Sequence, residues 1–260
     1  MRFFVSFLCA ALACAPTLQA LVLEDLTASK TLEATLQDKT LGYYIGSFAP
    51  LHMEHEDFVT QALESGACDY VLIYPVWGGD DFKERTDVEA RLEMLFKTYE
   101  NHPHVLVTRL TPGELQDLLT SPIASTDKKK FVQLRIKGLR IVGMIGSDTA
   151  LGIPQHPKKE KVFMKGMALP DKYTAHTVGV IMALPADSFV ISRRNGQDLQ
   201  VLGGTLSGRP ITHVFENAYP TLSSTMIRGR VAKGESISDY VNEGVQCLIK
   251  EKRLYQKKKQ

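Results

Sequence analysis

Leu41-Gly42-Tyr43-Tyr44-Ile45-Gly46-Ser47-Phe48-Ala49-Pro50-Leu51-His52-Met53-Glu54-His55 runs from an apolar, β-prone segment through a short loop to a histidine pair. Leu41 to Ser47 reads as a buried strand ending in glycine and serine. From His55 to Leu63, apolar residues recur at helical spacing (Phe58, Val59, Ala62, Leu63), and Gly66 stops the helix. The N-terminus of such a helix attracts anions through its unpaired N–H groups and its dipole. His52 and His55 stand where that helix begins. There they can add donors to phosphate oxygens and stabilise charge that develops in phosphoryl or nucleotidyl transfer.

Outward from this segment the alternation continues. Tyr70 to Tyr74, Val105 to Val107, Leu139 to Ile145, Ser188 to Ser192 and Ile211 to Phe215 read as further strands, the fourth of the six ending in Gly146. Thr86 to Tyr99 is an amphipathic helix with Thr86 or Asp87 as its cap, because Val88, Leu92, Leu95 and Phe96 share one face. Thr111 caps another helix with Pro112 at its first position, and a last helix runs from about Ser238 to Lys252. Residues 21–40 read as a helical or extended lead-in. Near-continuous apolar strands alternating with helices predict a parallel sheet covered on both faces. No internal repeat is visible.

Composition bounds the function. The 260 residues suit one large domain or two small ones. A hydrophobic fraction of 44% and a charged fraction of 23% are ordinary globular values, which excludes disorder, collagen and coiled coil as the main architecture. Thirty-one Lys and Arg against 29 Asp and Glu leave a net charge of +2, so no nucleic-acid partner is expected. The basic runs Lys128-Lys129-Lys130 and Lys257-Lys258-Lys259 read as solvated loop and tail (residues 256–260). Four cysteines without C-x-x-C spacing indicate neither a disulfide scaffold nor a zinc ribbon, and no protein-held metal site is expected.

Residues 1–20 read separately. Met1-Arg2, an apolar run from Phe3 to Pro16 and a small residue at Ala20 describe an export signal. The alternatives are a membrane anchor over residues 3–23, the only membrane contact expected, and lipidation at Cys14.

Taken in order, Gly46, Phe48, Pro50, His52 and His55 resemble the first motif of the nucleotidylyltransferase superfamily, G-x-F-x-P-x-H-x-G-H. Ile145-Gly146-Ser147-Asp148 resembles that family's G-x-D motif, and Leu222-Ser223-Ser224-Thr225-Met226-Ile227-Arg228 resembles I-S-S-T-x-I-R. Tyr74-Pro75, Lys83, the Arg91-Leu92-Glu93-Met94-Leu95 helix and the ending Tyr240 to Tyr255 resemble the nicotinate/nicotinamide-nucleotide adenylyltransferase branch. The resemblance covers residues 41–255.

It implies a doubly wound, Rossmann-like sheet in three layers, α/β/α, with ATP across the C-terminal ends of the strands. It also implies adenylyl transfer from ATP to a pyridine mononucleotide, giving a dinucleotide and pyrophosphate, with Mg2+ accompanying the ATP. His52, His55 and Arg228 would be catalytic. Gly46, Ser47, Phe48, Gly146, Asp148, Ser224 and Thr225 would join them in holding ATP, and Trp77, Lys83 and Arg91 would hold the mononucleotide. Two positions depart from the pattern. Ala49 replaces the customary Asp, and Glu54 stands where the family has Gly, putting a carboxylate near the ATP phosphates. With an export signal, these departures support a second expectation: an exported member of the fold that binds a nucleotide or partner without catalysis. Residues 154–187 are longer than the family's corresponding segment and read as an insertion over the site edge.

Overall fold

The computed structural model describes residues 21–76, 86–123, 131–152, 184–194 and 196–256. The chain opens with β1 (Leu21–Val22), α1 (Leu23–Ala28) and α2 (Leu32–Leu36), then follows β2 (Thr40–Gly46), α3 (Met53–Glu64), β3 (Tyr70–Pro75), α4 (Val88–Tyr99) and β4 (Val105–Val107). After α5 (Pro112–Leu119), a hairpin of β5 (Thr120–Ile123) and β6 (Phe131–Leu134) leads to β7 (Arg140–Gly146) and α6 (Ser147–Gly152). The remaining elements are β8 (Ser188–Arg193), β9 (Thr205–Leu206), β10 (Arg209–Glu216), α7 (Ser224–Lys233) and α8 (Glu243–Glu251).

Strand side chains alternate between two faces, and the core divides accordingly. Leu41, Tyr43 and Ile45 of β2 join one apolar cluster, with Leu23, Leu36, Leu115 and Leu119 from α1, α2 and α5. Tyr44 joins the other, with Phe58, Leu92, Leu95, Ile227 and Val245 from α3, α4, α7 and α8. Helices thus cover both faces, and the middles of the central strands are buried, as a parallel sheet covered on both sides requires. The expected three-layer α/β/α architecture is present.

The described strands of the main sheet lie in the order β1-β4-β3-β2-β7-β8-β10-β9. The six strands expected from the sequence are β2, β3, β4, β7, β8 and β10; numbered in that sequence, they stand 3-2-1-4-5-6, the doubly wound order. All are parallel to their neighbours; only the short β9 runs antiparallel, against β10. The order reverses between β2 and β7, which pair from Thr40↔Arg140 to Tyr44↔Met144. Past that pairing the two strands end in Gly46 and Gly146, and helices leave on opposite faces, opening a crevice.

Three boundaries differ from the sequence expectation. The lead-in is part of the domain: Leu21 and Val22 extend the sheet beside β4, and Leu23 is fully buried. The last helix begins at Glu243, not Ser238, because the Asn242 side chain accepts the Val245 N–H at 2.9 Å and caps it. The β5–β6 hairpin was not expected. Residues 1–20, the 257–260 tail and most of the 154–187 insertion lie outside the described residues. No described helix is long and apolar enough to cross a membrane. Cys68 is buried and Cys247 exposed, both as free thiols.

Candidate active site

Gly46 ends β2, and the chain then turns through Ser47–Leu51 into α3. The turn is tight because Phe48 folds beneath it: the ring is fully buried, at positive φ, with its edge against Gly46. A Cβ on Gly46 would lie 2.6 Å from two ring carbons. Gly46→Ala is therefore expected to destabilise the protein by about 1–3 kcal/mol, the usual cost of overpacking, which urea unfolding measures. A variant as stable as the parent would show that Phe48 can move.

Two other segments hold the loop from outside. In α7, Ser224 Oγ donates to the Pro50 carbonyl at 3.0 Å and Arg228 Nη1 to the Ala49 carbonyl at 2.8 Å. Arg228 Nη2 also reaches Thr225 Oγ1, and Ser223 caps the helix by accepting the Met226 N–H. Arg91 clamps the loop from α4. The residue is 1% exposed, and its guanidinium donates to the carbonyls of Ser47 (3.0 Å), Val76 (2.8 Å) and Thr86 (3.1 Å). Arg91, which the resemblance gave as a mononucleotide ligand, makes these contacts to backbone carbonyls and is not among the residues that line the cavity described below.

His52 and His55 stack at 3.6 Å between ring centroids at the start of α3. The His52 backbone N–H donates to His55 Nδ1 at 3.3 Å. Neutral His55 therefore carries its proton on Nε2. Burial pushes both rings toward the neutral form; His52 falls to about 3, with the nearby Arg194 charge adding to the effect. His55 lies well below its usual value through burial, then its His52 neighbour, then Arg194. His52 Nδ1 is buried without a hydrogen-bond partner.

The sign of the linked stability follows. Below the ordinary histidine value of 6.5 the unfolded chain takes up protons that the folded rings refuse, so stability falls with pH, by up to about 1.4 kcal/mol per unit for each ring. Glu54 and Glu56, raised by burial above 4.5, act in the opposite sense as pH falls toward that value. The urea midpoint is expected to drop between pH 7 and pH 5.5, and less steeply in His52→Asn. A midpoint independent of pH in the parent would contradict the buried, neutral pair.

Across the crevice, β7 ends at Gly146 and Asp148 follows in the first turn of α6. Asp148 Oδ1 accepts the Thr149 N–H at 2.9 Å and occupies the space beside Gly146, where a Cβ would meet it at 2.8 Å. His52, His55, Asp148, Ser224, Thr225 and Arg228 all line one cavity of about 200 Å³, together with Gly46, Ser47 and Gly146. Of the expected ATP ligands, only Phe48 is absent from the lining; it supports the loop from below. Trp77 and Lys83 lie outside the described residues.

The sequence reading missed Arg194 as a site residue and misjudged the surroundings of Glu54. Glu54 does not face the cavity as a lone carboxylate. Arg194 Nε lies 3.4 Å from Glu54 Oε1, and Arg194 Nη1 3.8 Å from Asp148 Oδ2. Arg194 follows directly on β8, at the strand edge where open α/β sheets bind ligands, and that position was the available signal.

Comparison with known proteins places this arrangement among relatives. No family model matches the chain. A probable nicotinate-nucleotide adenylyltransferase of Fusobacterium nucleatum is 26% identical over 217 residues, covering 82% of this chain and 98% of that protein. Two structures of Plasmodium falciparum nicotinic acid mononucleotide adenylyltransferase share the fold at 15% identity, each covering 84% of this chain and 97% of theirs. The one complexed with NaAD superposes with a TM-score of 0.55, and the one complexed with APC with 0.50. In sequence and in fold, this chain is similar to the nicotinate-nucleotide adenylyltransferases.

Proposed function

We propose that the protein transfers the adenylyl group of ATP to a pyridine mononucleotide, forming a dinucleotide and pyrophosphate. The supporting observation is that three segments far apart in sequence, Gly46–His55, Gly146–Asp148 and Ser224–Arg228, line one cavity at the switch point of the sheet. The likeness to the Fusobacterium relative spans that relative's length and points the same way.

In this reaction a phosphate oxygen of the mononucleotide attacks the α-phosphorus of ATP. One P–O bond forms, the bond to the β-phosphate bridge breaks, and its electron pair leaves with pyrophosphate. No covalent enzyme intermediate is needed, so the protein's contribution is positioning and electrostatics. His55 Nε2–H donates to an α-phosphate oxygen as negative charge grows there. It is a neutral donor held in a fixed tautomer, so no solvent reorganisation accompanies the step. Arg228 adds a permanent charge from the first turns of α7, where the helix dipole also favours anions. Asp148 accepts from ribose hydroxyls.

The residues fit Mg2+ carried in on ATP. Glu54 and Asp148 bring hard carboxylate oxygens to the cavity, while the described residues contain no group of three or more ligating side chains that would hold a metal alone. Mg2+ of this kind keeps several waters and the substrate phosphates as ligands, with one or two carboxylates nearby. When bound, it would offset charge on the leaving pyrophosphate.

We take residues 1–20 as an export signal; N-terminal sequencing of the mature protein tests this. The activity is tested by supplying ATP, Mg2+ and either nicotinate or nicotinamide mononucleotide and following pyrophosphate and dinucleotide. Dinucleotide formation with one of them establishes the reaction and names the substrate. ATP binding without product would favour the nucleotide-binding alternative.

A further inference from the structure

Arg194 and Glu54 are charged, adjacent and incompletely satisfied. The Arg194 backbone is fixed, since its N–H donates to Ser147 Oγ at 2.9 Å. Its side chain is 34% exposed and reaches over the cavity toward Glu54, whose side chain is only 7% exposed. Good arginine–carboxylate pairs are bidentate, with N···O distances of roughly 2.7–2.9 Å. Here the contact to Glu54 is 3.4 Å and the contact to Asp148 is 3.8 Å. Arg194 Nε has no hydrogen-bond partner, and neither has Glu54 Oε2, although both atoms are buried. His52 Nδ1, in the same cavity, is a third such atom. Buried polar atoms are nearly always paired in folded proteins. Unpaired donors and acceptors gathered in one cavity are what a ligand rich in oxygen would complete.

The charges select the ligand. Arg194 faces two carboxylates in this arrangement, and burial also raises Glu54 toward its neutral form against the pull of Arg194. A carboxylate that is costly to bury and poorly bonded to its partner holds that partner weakly. A polyphosphate offers the same guanidinium more charge and several oxygens in bidentate reach.

We propose that Glu54 and Arg194 form a displaceable pair in which the Glu54 carboxylate holds the guanidinium over the cavity until the polyphosphate of the nucleotide takes it over. Arg194 is then a phosphate-binding residue, and Glu54 is a positioning residue that sets its affinity. The proposal rests on the nucleotide-binding reading above.

Calorimetric titration of the full-length protein, its Glu54→Gln and Arg194→Gln variants and the double variant tests it, with ATP, inorganic tripolyphosphate and adenosine as separate probes. Thermal melts first establish that each variant is folded. Glu54→Gln is expected to bind ATP and tripolyphosphate on the order of tenfold more tightly, and Arg194→Gln on the order of tenfold more weakly. Adenosine binding stays unchanged in both. The gain from Glu54→Gln disappears in the double variant, which binds as Arg194→Gln does. If the gain persists there, Glu54 acts by direct repulsion and the pair is refuted. If both single variants lower the melting temperature but leave affinities unchanged, the pair is a structural bridge and the proposal fails. If the parent itself binds neither ATP nor tripolyphosphate, the nucleotide-binding reading fails with it.

Discussion

His55→Ala lowers kcat for dinucleotide formation by on the order of 10²-fold or more, with a much smaller change in KM for ATP. The size follows from where the proton sits. The His52 backbone N–H occupies His55 Nδ1, so Nε2 is the donor, and burial keeps the ring neutral. The ring is also held in place, stacked on His52 and set edge-on against Phe48 at 5.0 Å between centroids. A donor fixed before the reaction interacts more strongly with charge that appears only in the transition state, which is why kcat carries the loss. His55→Gln, which keeps a side-chain N–H, is expected to lose less. Steady-state rates with each mononucleotide decide the matter, and an unchanged kcat in His55→Ala would remove His55 from the role.

Arg91→Ala is expected to cost about 3–5 kcal/mol of stability, because it strips charged donors from several buried carbonyls at once. Two of those carbonyls lie on other segments, Ser47 on the phosphate-facing loop and Val76 beyond β3, so the loss spreads from packing to binding. Affinity for ATP and for the mononucleotide should both fall, since a loosened Ser47–Leu51 loop no longer holds α3's N-terminus in register. Arg91→Lys should recover little of the stability, because an ammonium cannot supply the planar fork that reaches carbonyls on both sides. Urea unfolding of both variants, with titration of the folded fraction, measures this. A variant of normal stability that loses only mononucleotide affinity would instead establish Arg91 as a direct ligand.

What was legible in the sequence had a local cause. Leu41 to Gly46 and Ile141 to Gly146 showed as strands because both faces are buried and every position is apolar or small. Thr111-Pro112 marked its helix correctly: Thr111 and Glu114 bond reciprocally, and Pro112 occupies the first turn. The histidine pair, Gly146–Asp148 and Ser224–Arg228 were found through spacing and resemblance, and the fold gathers them at one cavity. The loop contacts of Arg91 were not legible, because an arginine on an amphipathic helix looks the same whether it meets solvent, ligand or carbonyls, and the carbonyls it reaches lie 15 and 44 residues away. Arg194 was missed for the same reason. Its partner Glu54 lies on another strand–helix unit, and no local pattern links the two. The β1 pairing escaped notice because a two-residue strand has no period to detect.

That short strand fixes a direction. β1 runs parallel to β4, so the chain enters the sheet at Leu21 from the end opposite the one where Gly46, Gly146 and Arg194 form the cavity. Leu21 and Val22 sit at one edge of the sheet, with β4 and β3 between them and β2, so a substitution there reaches the cavity only through those strands.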